Sequence, residues 1–510
     1  MPDLYCLLDE PLISVRAAPG AVQEHLTLPE VLGRLWAGQV ESYCSIQAHQ
    51  RHAWHAFLVQ VAAMSLAECS DESAASESAF WRRRLLDLSR GSESAWTLVV
   101  DRLAEPAFMQ PPVPEGKIEA LKNILSTPDE IDVLLTAKNH DVKGARISAA
   151  APEHWVFALV SLQTMQGFLG AGNYGIARMN GGFASRPCVA ISPALDPTTR
   201  FRRDVALLRE KRQAVCADVG YAVEAGRSLL WLEPWDGSGS LEIAECDPWF
   251  VEVCRRVRLE FAQNRVQARS VSTKAPRLNA KLRNGVTGDP WTPTNKAKAS
   301  ALTVASGGFR YRLVQELLFG IEYADSLAQT EVPEGKCEFV GWALVRGQGR
   351  TDGLHERVLP IPPRIRPYLG LRTPDNPVGT RARTQVEDAG VVQLSVLRPS
   401  ILVLLQGAPG RLDLTDERGR VWTTRLDQEV DRRFFPSLWD GLDRSEVEAR
   451  RDWQREVLGM AWRIFGRACR EAPIPAARAY KVVAAAERVF TGAARKRFPD
   501  VDRWRGSWNQ

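Results

Sequence analysis

No stretch of about 18 apolar residues free of charge occurs anywhere in the chain, which argues against a simple membrane-spanning helix. The opening residues, MPDLYCLLDEPLISVR, lack the basic-then-apolar order of a secretory leader. The nine cysteines follow no repeating framework, so in a chain of 510 residues they read as reduced thiols and not as disulfides. Together these absences predict a soluble cytoplasmic protein. There is no internal repeat, no HExxH, no tight acidic motif and no Gly-Lys-Ser/Thr closing a phosphate loop. Metalloprotease and nucleotide-hydrolase readings therefore lose their usual signatures. Net charge is only +5, which by itself does not mark a nucleic-acid binder.

What is present is a balanced globular composition, 45% hydrophobic and 25% charged, long enough for two or three domains. Short apolar runs at 4–8, 96–100, 189–191 and 228–232 read as strands, and 43–66 and 154–168 have helical spacing. The pattern is irregular α+β. The segment IPPRIRPYLGLRTPDNPVG concentrates proline, arginine and glycine and marks a boundary. Beyond it, 385–405, 426–442, 445–471 and 476–498 carry apolar residues three and four apart, the signature of a four-helix bundle. The expected organisation is a mixed domain over 1–378 and a helical domain over 379–510, with a hairpin at GRLDLTDERGRVWTT turning at Glu417-Arg418-Gly419.

Arginine greatly outnumbers lysine, and basic residues cluster in RFRRDVALLREKR, CRRVRLEFAQNRVQARS and RVLPIPPRIRPYLGLR. Such runs suit phosphate contact and equally suit solvated faces. Residues 167–187, GFLGAGNYGIARMNGGFASRP, hold six glycines with Asn173, Arg178, Asn180 and Arg186 between them. Glycines let a backbone approach another chain closely, and Asn, Arg and free N–H groups can address phosphates or base edges. An irregular structural loop is the alternative. RGQGR sets Gln348 between two glycines and between Arg346 and Arg350, at a hairpin tip that could equally be an ordinary exposed turn. TAKNHDVKGAR gathers Lys138, Asn139, His140, Lys143 and Arg146, a set that suits an RNA end or simply solvent. His49, His52 and His55 are spaced along one helical face, but six residues rotate the chain too far for all three to converge on a metal. They read as a partly buried helix face. Cys246 is followed only by Cys254, in a basic segment with helical character, so free core thiols are favoured over zinc.

Several separated segments, in order, resemble the large subunit of the type I-E CRISPR Cascade complex, the CasA family. They are LLDEPLISVR, EPAFMQ, LLTAKNHDVKGAR, GNYGIARMNGGFASRP, WLEP with AECDP, GDPWTPTNKAKASALT, ALVRGQGRTDGLHERVLP and RLDQEVDRRFFPSLW. The resemblance implies a non-enzymatic subunit with no cofactor; some members of the family carry a further cysteine pair as if for zinc, and because Cys246 is followed nearby only by Cys254 in this chain, no metal is expected. Its partners would be crRNA, target double-stranded DNA, the backbone, small and handle-binding subunits and a helicase-nuclease, with no membrane. It implies a loop with Asn180, Gly181, Gly182 and Phe183 against the minor groove of the motif beside the target (the PAM), and a lysine, Lys296 or Lys298, reaching the same groove. Gln348 would be a wedge under the first base pair, with Arg346 and Arg350 on phosphates. Lys138, Asn139, His140, Lys143 and Arg146 would form a recognition loop near the guide RNA. A metal-dependent nuclease and a general RNA-binding scaffold are the alternatives.

Overall fold

Two interior helices organise the larger part of the chain in a computed structural model that describes residues 3–131, 150–182, 184–347, 350–373, 375–407, 410 and 412–501. The helix Arg51–Ser65 is buried along almost its whole length, as is Pro152–Met165. Helices apolar on every side belong in a core. Trp54 stacks on Phe57 at 5.4 Å and meets Phe157 edge-on at 5.1 Å, which ties the two helices together. Small sheets surround these helices. The long hairpin Cys337–Gly347 and Arg350–Ile361 is antiparallel, and its first strand also pairs with Cys188–Ser192. A second three-stranded sheet is made of Arg256–Ala262, Arg265–Val271 and Asn123–Leu125.

By its contacts the chain divides into two units, one of residues 1–309 and 322–361, the other of 310–321 and 362–510. The helix Tyr311–Phe319, which sequence grouped with the mixed region, belongs to the helical unit. There the Tyr311 ring lies 4.9 Å from Phe434, and Phe434 meets Phe435 at 5.0 Å and Trp453 at 5.8 Å. The long helices are Arg420–Asp440, Glu446–Glu471 and Ala476–Arg497, preceded by continuous helix from Pro377 to Gln406. Asn376 caps the last of these by accepting from the N–H groups of Val378 and Gly379 at 3.1 Å. Residues 392–397 widen into a π-helical turn directly before Pro399, which has no N–H to donate. This helix is long and apolar enough to cross a membrane, yet Val392, Val396, Ile401 and Leu402 are buried within the unit.

Three expectations change. Among the described residues of 410–424 the predicted hairpin is absent: Glu417–Gly419 is a single 3-10 turn and helix begins at Arg420. Trp422, Leu426 and Val430 repeat every four residues and bury one helical face, and Asp416 holds the turn by accepting from Arg418 N–H at 3.0 Å. The segment after Cys254 is strand instead of helix: Arg256–Ala262 pairs antiparallel with Arg265–Val271, and Gln263 and Asn264 both take the positive φ of a tight hairpin turn. Helix in the 43–66 region starts only at Arg51, with Ser42–Tyr43 pairing as a strand. Cys246 and Cys254 are free and buried, and burial pushes their thiols up to about 12 and about 11.

The histidines do not converge either. His52 is buried between the rings of Trp291 and Trp342, and His55 Nε2 lies 2.8 Å from Asp204 Oδ2. Burial, with help from the Arg200 guanidinium, lowers His55 to about 4. The unfolded chain therefore takes up a proton near the ordinary value of 6.5 that the fold refuses until about 4, so stability falls as pH falls through that window. Urea titrations should show His55→Asn losing about 2 kcal/mol less than the parent chain on going from pH 7.5 to pH 5. In the helical unit, Phe434→Ala should cost about 3–5 kcal/mol in the same assay, since the ring is fully buried among aromatic neighbours.

Candidate nucleic-acid interface

The glycine-rich segment leaves the buried helix Pro152–Met165 and returns to the strand Cys188–Ser192, so both of its ends are fixed by the core. Its neck is closed by Gly167 N–H to Ala184 at 2.9 Å, Phe168 N–H to Gly182 at 3.2 Å and Arg186 N–H to Met165 at 2.9 Å. No side chain fits inside that neck, because a methyl group on Gly167 would lie 2.7 Å from the Gly182 carbonyl oxygen. Arg255 clamps the neck from below, donating to the carbonyls of Gly167 (3.2 Å) and Tyr174.

Arg178 and Arg186 are not presented to solvent. They are 2% and 1% exposed. Arg186 Nε sits 2.6 Å from Asp289 Oδ2, Arg178 Nε sits 3.8 Å from the same oxygen, and Arg178 donates to the Phe250 carbonyl at 2.8 Å. Arg178 also lies 4.0 Å from the centre of the Phe250 ring, and Arg186 lies over Trp291. Asp289 belongs to the turn Gly-Asp-Pro-Trp and is itself held by the Trp291 N–H at 2.9 Å. Ala177 N–H donates to Glu252 Oε1 at 2.7 Å. The arginines thus anchor the loop from inside and leave residues 180–182 as its outer arc. Gly181 is exposed with φ +75°.

Two further elements meet this arc. Asn180 Oδ1 accepts from Gly182 N–H at 3.1 Å, and its amide nitrogen donates to Thr303 Oγ1 at 2.5 Å and to the Ala301 carbonyl at 3.4 Å. Ala301 ends a hairpin made of Thr294–Asn295 and Ser300–Ala301, whose turn carries Lys296 and Lys298, both exposed. Asn295 shapes that turn by accepting from Lys298 N–H at 2.9 Å and donating to Glu322 at 2.6 Å. On the exit side, Ser185 Oγ donates to the Leu344 carbonyl at 2.6 Å on the long hairpin. The last described pair of that hairpin is Gly347 with Arg350. Arg346, expected among exposed tip side chains, is 7% exposed, because it sits on the central strand of three, buried on both faces from 339 to 346. Phe183, Gln348, Lys138, Asn139, His140, Lys143 and Arg146 lie outside the described residues.

Sequence reading missed Asn180 as the joint between loop and lysine hairpin, and it missed Lys281 and Asn284. These two rim a groove of about 490 Å3 beside Asn180 and Gly181, walled by Phe168, Tyr174, Met179 and Leu278. The basic run around Arg255 turned inward as well: Arg258 donates to the carbonyls of Val100, Arg102 and Glu105, and Arg256 pairs with Glu115 at 2.8 Å. The run on the helix Pro197–Val219 is matched by Asp204, Glu72, Glu331 and Asp247. Among the described residues no group of three or more His, Cys, Asp or Glu could hold a metal ion.

A mixed α+β unit bearing these loops, together with a unit of long helices, is an architecture found in the solved CasA (Cse1) structures of several bacteria. The CasA (Cse1) fold runs through this chain over nearly its whole length. The Thermus thermophilus CasA (Cse1) structure aligns with a TM-score of 0.63 at 16% identity, covering 97% of this chain and 100% of that one. Thermobifida fusca Cse1 aligns with a TM-score of 0.66 at 14% identity, over 98% and 99%. A chain of a CRISPR RNA-guided surveillance complex aligns with a TM-score of 0.50 at 13% identity, over 96% and 100%. No protein-family model and no curated protein matches the chain.

The arc has a local test. Gly181→Ala places a side chain in the left-handed region and should lower stability by about 1–2 kcal/mol, although the space around it is open. Thermal unfolding checks it; no loss would mean that the arc adapts freely.

Proposed function

We propose that this chain is the large, non-enzymatic subunit of a crRNA-guided type I-E Cascade surveillance complex in the cytoplasm. In this reading it recognises the short motif beside the target in double-stranded DNA, helps open the duplex and receives the helicase-nuclease in antiviral defence. The observation that carries the reading is the convergence of three outer elements in a chain of the CasA fold. Asn180 joins the Gly181–Gly182 arc to the lysine hairpin, and Ser185 joins the same loop to the long hairpin of Cys337–Gly347 and Arg350–Ile361.

Each element offers a distinct chemistry. A glycine arc without side chains can lie close to base edges in a minor groove, where A·T and T·A pairs present nearly the same acceptors. Motif recognition by this route is permissive. Lys296 and Lys298 supply positive charge to the same groove and its phosphates, and Arg350 is assigned to phosphate beside the tip. Gln348 inserted beneath the first base pair would offset part of the unstacking cost, a few kcal/mol per step. Guide pairing then reads the target sequence, as in other RNA-guided effectors. The recognition loop with Lys138, Asn139, His140, Lys143 and Arg146 is assigned to the guide RNA, and the helical unit to the small subunits and the displaced strand.

The test is binding of the reconstituted complex to a duplex library randomised beside the target, with strand opening read by permanganate reactivity. Gln348→Ala should reduce opening more than it broadens motif choice, and equal opening by both proteins would remove the wedge assignment. Replacing whichever of Lys296 and Lys298 contacts phosphate should lower the salt slope of binding by about 1. A complex indifferent to the flanking motif would favour a general RNA-binding scaffold.

A further inference from the structure

Beneath the glycine-rich loop lies a group of charges that the reading of its outer arc does not use. Arg178 and Arg186 come from the loop, Asp289 from the Gly-Asp-Pro-Trp turn and Glu252 from the chain between two strands; all are at most 5% exposed. The polar grips on the Ala177–Arg178 limb and on the Arg186 guanidinium pass through these groups or through the Phe250 carbonyl, while Ser185 is held separately by the Leu344 carbonyl. Two guanidinium groups face two carboxylates, so the cluster is neutral only while Glu252 is ionised. Glu252 Oε2 and Arg178 Nη1 are both buried and have no hydrogen-bond partner among the described residues. A buried carboxylate with unfilled bonding capacity is held in its charged form less firmly than a fully bonded one.

We propose that Glu252 and Asp289 are positioning residues for the glycine-rich loop, holding residues 180–182 in the conformation that meets duplex DNA, and that protonation of Glu252 loosens this hold. The proposal rests on the reading of the arc as the element that meets the motif. Burial raises Glu252 to about 7, opposed by Arg178 and by the Ala177 N–H. The other groups that face it are Arg178, Arg186, Asp289, Cys246, Cys254 and Tyr221. Burial pushes the two thiols to about 12 and about 11 and the Tyr221 hydroxyl higher still, so these stay neutral across the physiological range. When Glu252 takes a proton, Ala177 N–H exchanges a charged acceptor for a neutral one and Arg178 loses half of its counter-charge. Asp289 keeps Arg186, so the loop relaxes at its Ala177–Arg178 limb and not at its exit.

The experiment measures affinity of the assembled complex for duplexes with the preferred and a scrambled flanking motif, from pH 6 to pH 8.5. Affinity for the preferred duplex should fall about threefold to tenfold toward pH 6, while binding to the scrambled duplex, adjusted for general salt effects, stays level. Glu252→Gln keeps the side-chain volume and an acceptor for Ala177 N–H but is permanently neutral. It should be flat with pH, at the affinity of the parent complex at pH 6. A parent complex without the slope, or a slope that survives Glu252→Gln, overturns the proposal. If no motif preference exists at any pH, the reading of the arc fails instead, and hydrogen exchange on the full chain decides the positioning claim. Amides of 175–182 should then exchange faster at pH 6 than at pH 8.5 after correction for intrinsic rates. Unchanged protection would overturn it, and this arm also stands if the variant does not fold.

Discussion

The carboxylate of Asp289 is the constraint on which the conformation of the glycine-rich loop depends. It is buried with the guanidinium groups of Arg178 and Arg186, and these belong to the same irregular loop. A long glycine-rich segment left to itself would sample many conformations at a high entropic cost of ordering. Two inward arginines on one carboxylate, a clamp from Arg255 and the bond from Ala177 to Glu252 confine that freedom to a few outer residues. Removing one partner of such a pair is costly because the other is left buried and uncompensated. The turn that carries Asp289 is tied in turn to the core: Trp291 donates to Asp204 at 3.1 Å, and Asp204 receives His55 from the central buried helix. A continuous polar path therefore runs from the middle of the core to the underside of the loop.

The loops that meet at the arc are separated by more than a hundred residues in sequence. Asn180 reaches Ala301 and Thr303, and Ser185 reaches Leu344. Both joints use backbone carbonyls or a hydroxyl as acceptors. Such anchors fix position while leaving charged side chains, those of Lys296 and Lys298, on the outside. The result is a surface built from short segments whose geometry comes from the scaffold beneath, which is how irregular loops serve as binding elements.

Parts of this were legible in the sequence. The helices Glu446–Glu471 and Ala476–Arg497 announce themselves by apolar spacing, and Ser445 caps the first of them by accepting from Glu448 N–H at 3.3 Å. The long hairpin is marked by the Gly-Gln-Gly between its strands Cys337–Gly347 and Arg350–Ile361, and the glycine-rich segment by composition alone. The direction in which arginines point was not legible. Arg178, Arg186, Arg255 and Arg258 sit in stretches that look basic and solvated, yet each is turned inward by acceptors far along the chain. Local pattern carries no information about an acid a hundred residues away. The false hairpin at 410–424 fails for a related reason: short alternation looked like strand, while Trp422, Leu426 and Val430 packed as a helix.

Contact between the Gly181–Gly182 arc and duplex DNA beside the target is the claim on which the functional reading turns. A photo-crosslinking amino acid at position 181, in the complex assembled with guide and bound to end-labelled target, tests it directly, with position 22, also exposed, as control. The crosslink at 181 should map to nucleotides of the flanking motif, and the control should give none. Crosslinks at 181 confined to guide RNA or to another subunit would contradict the account.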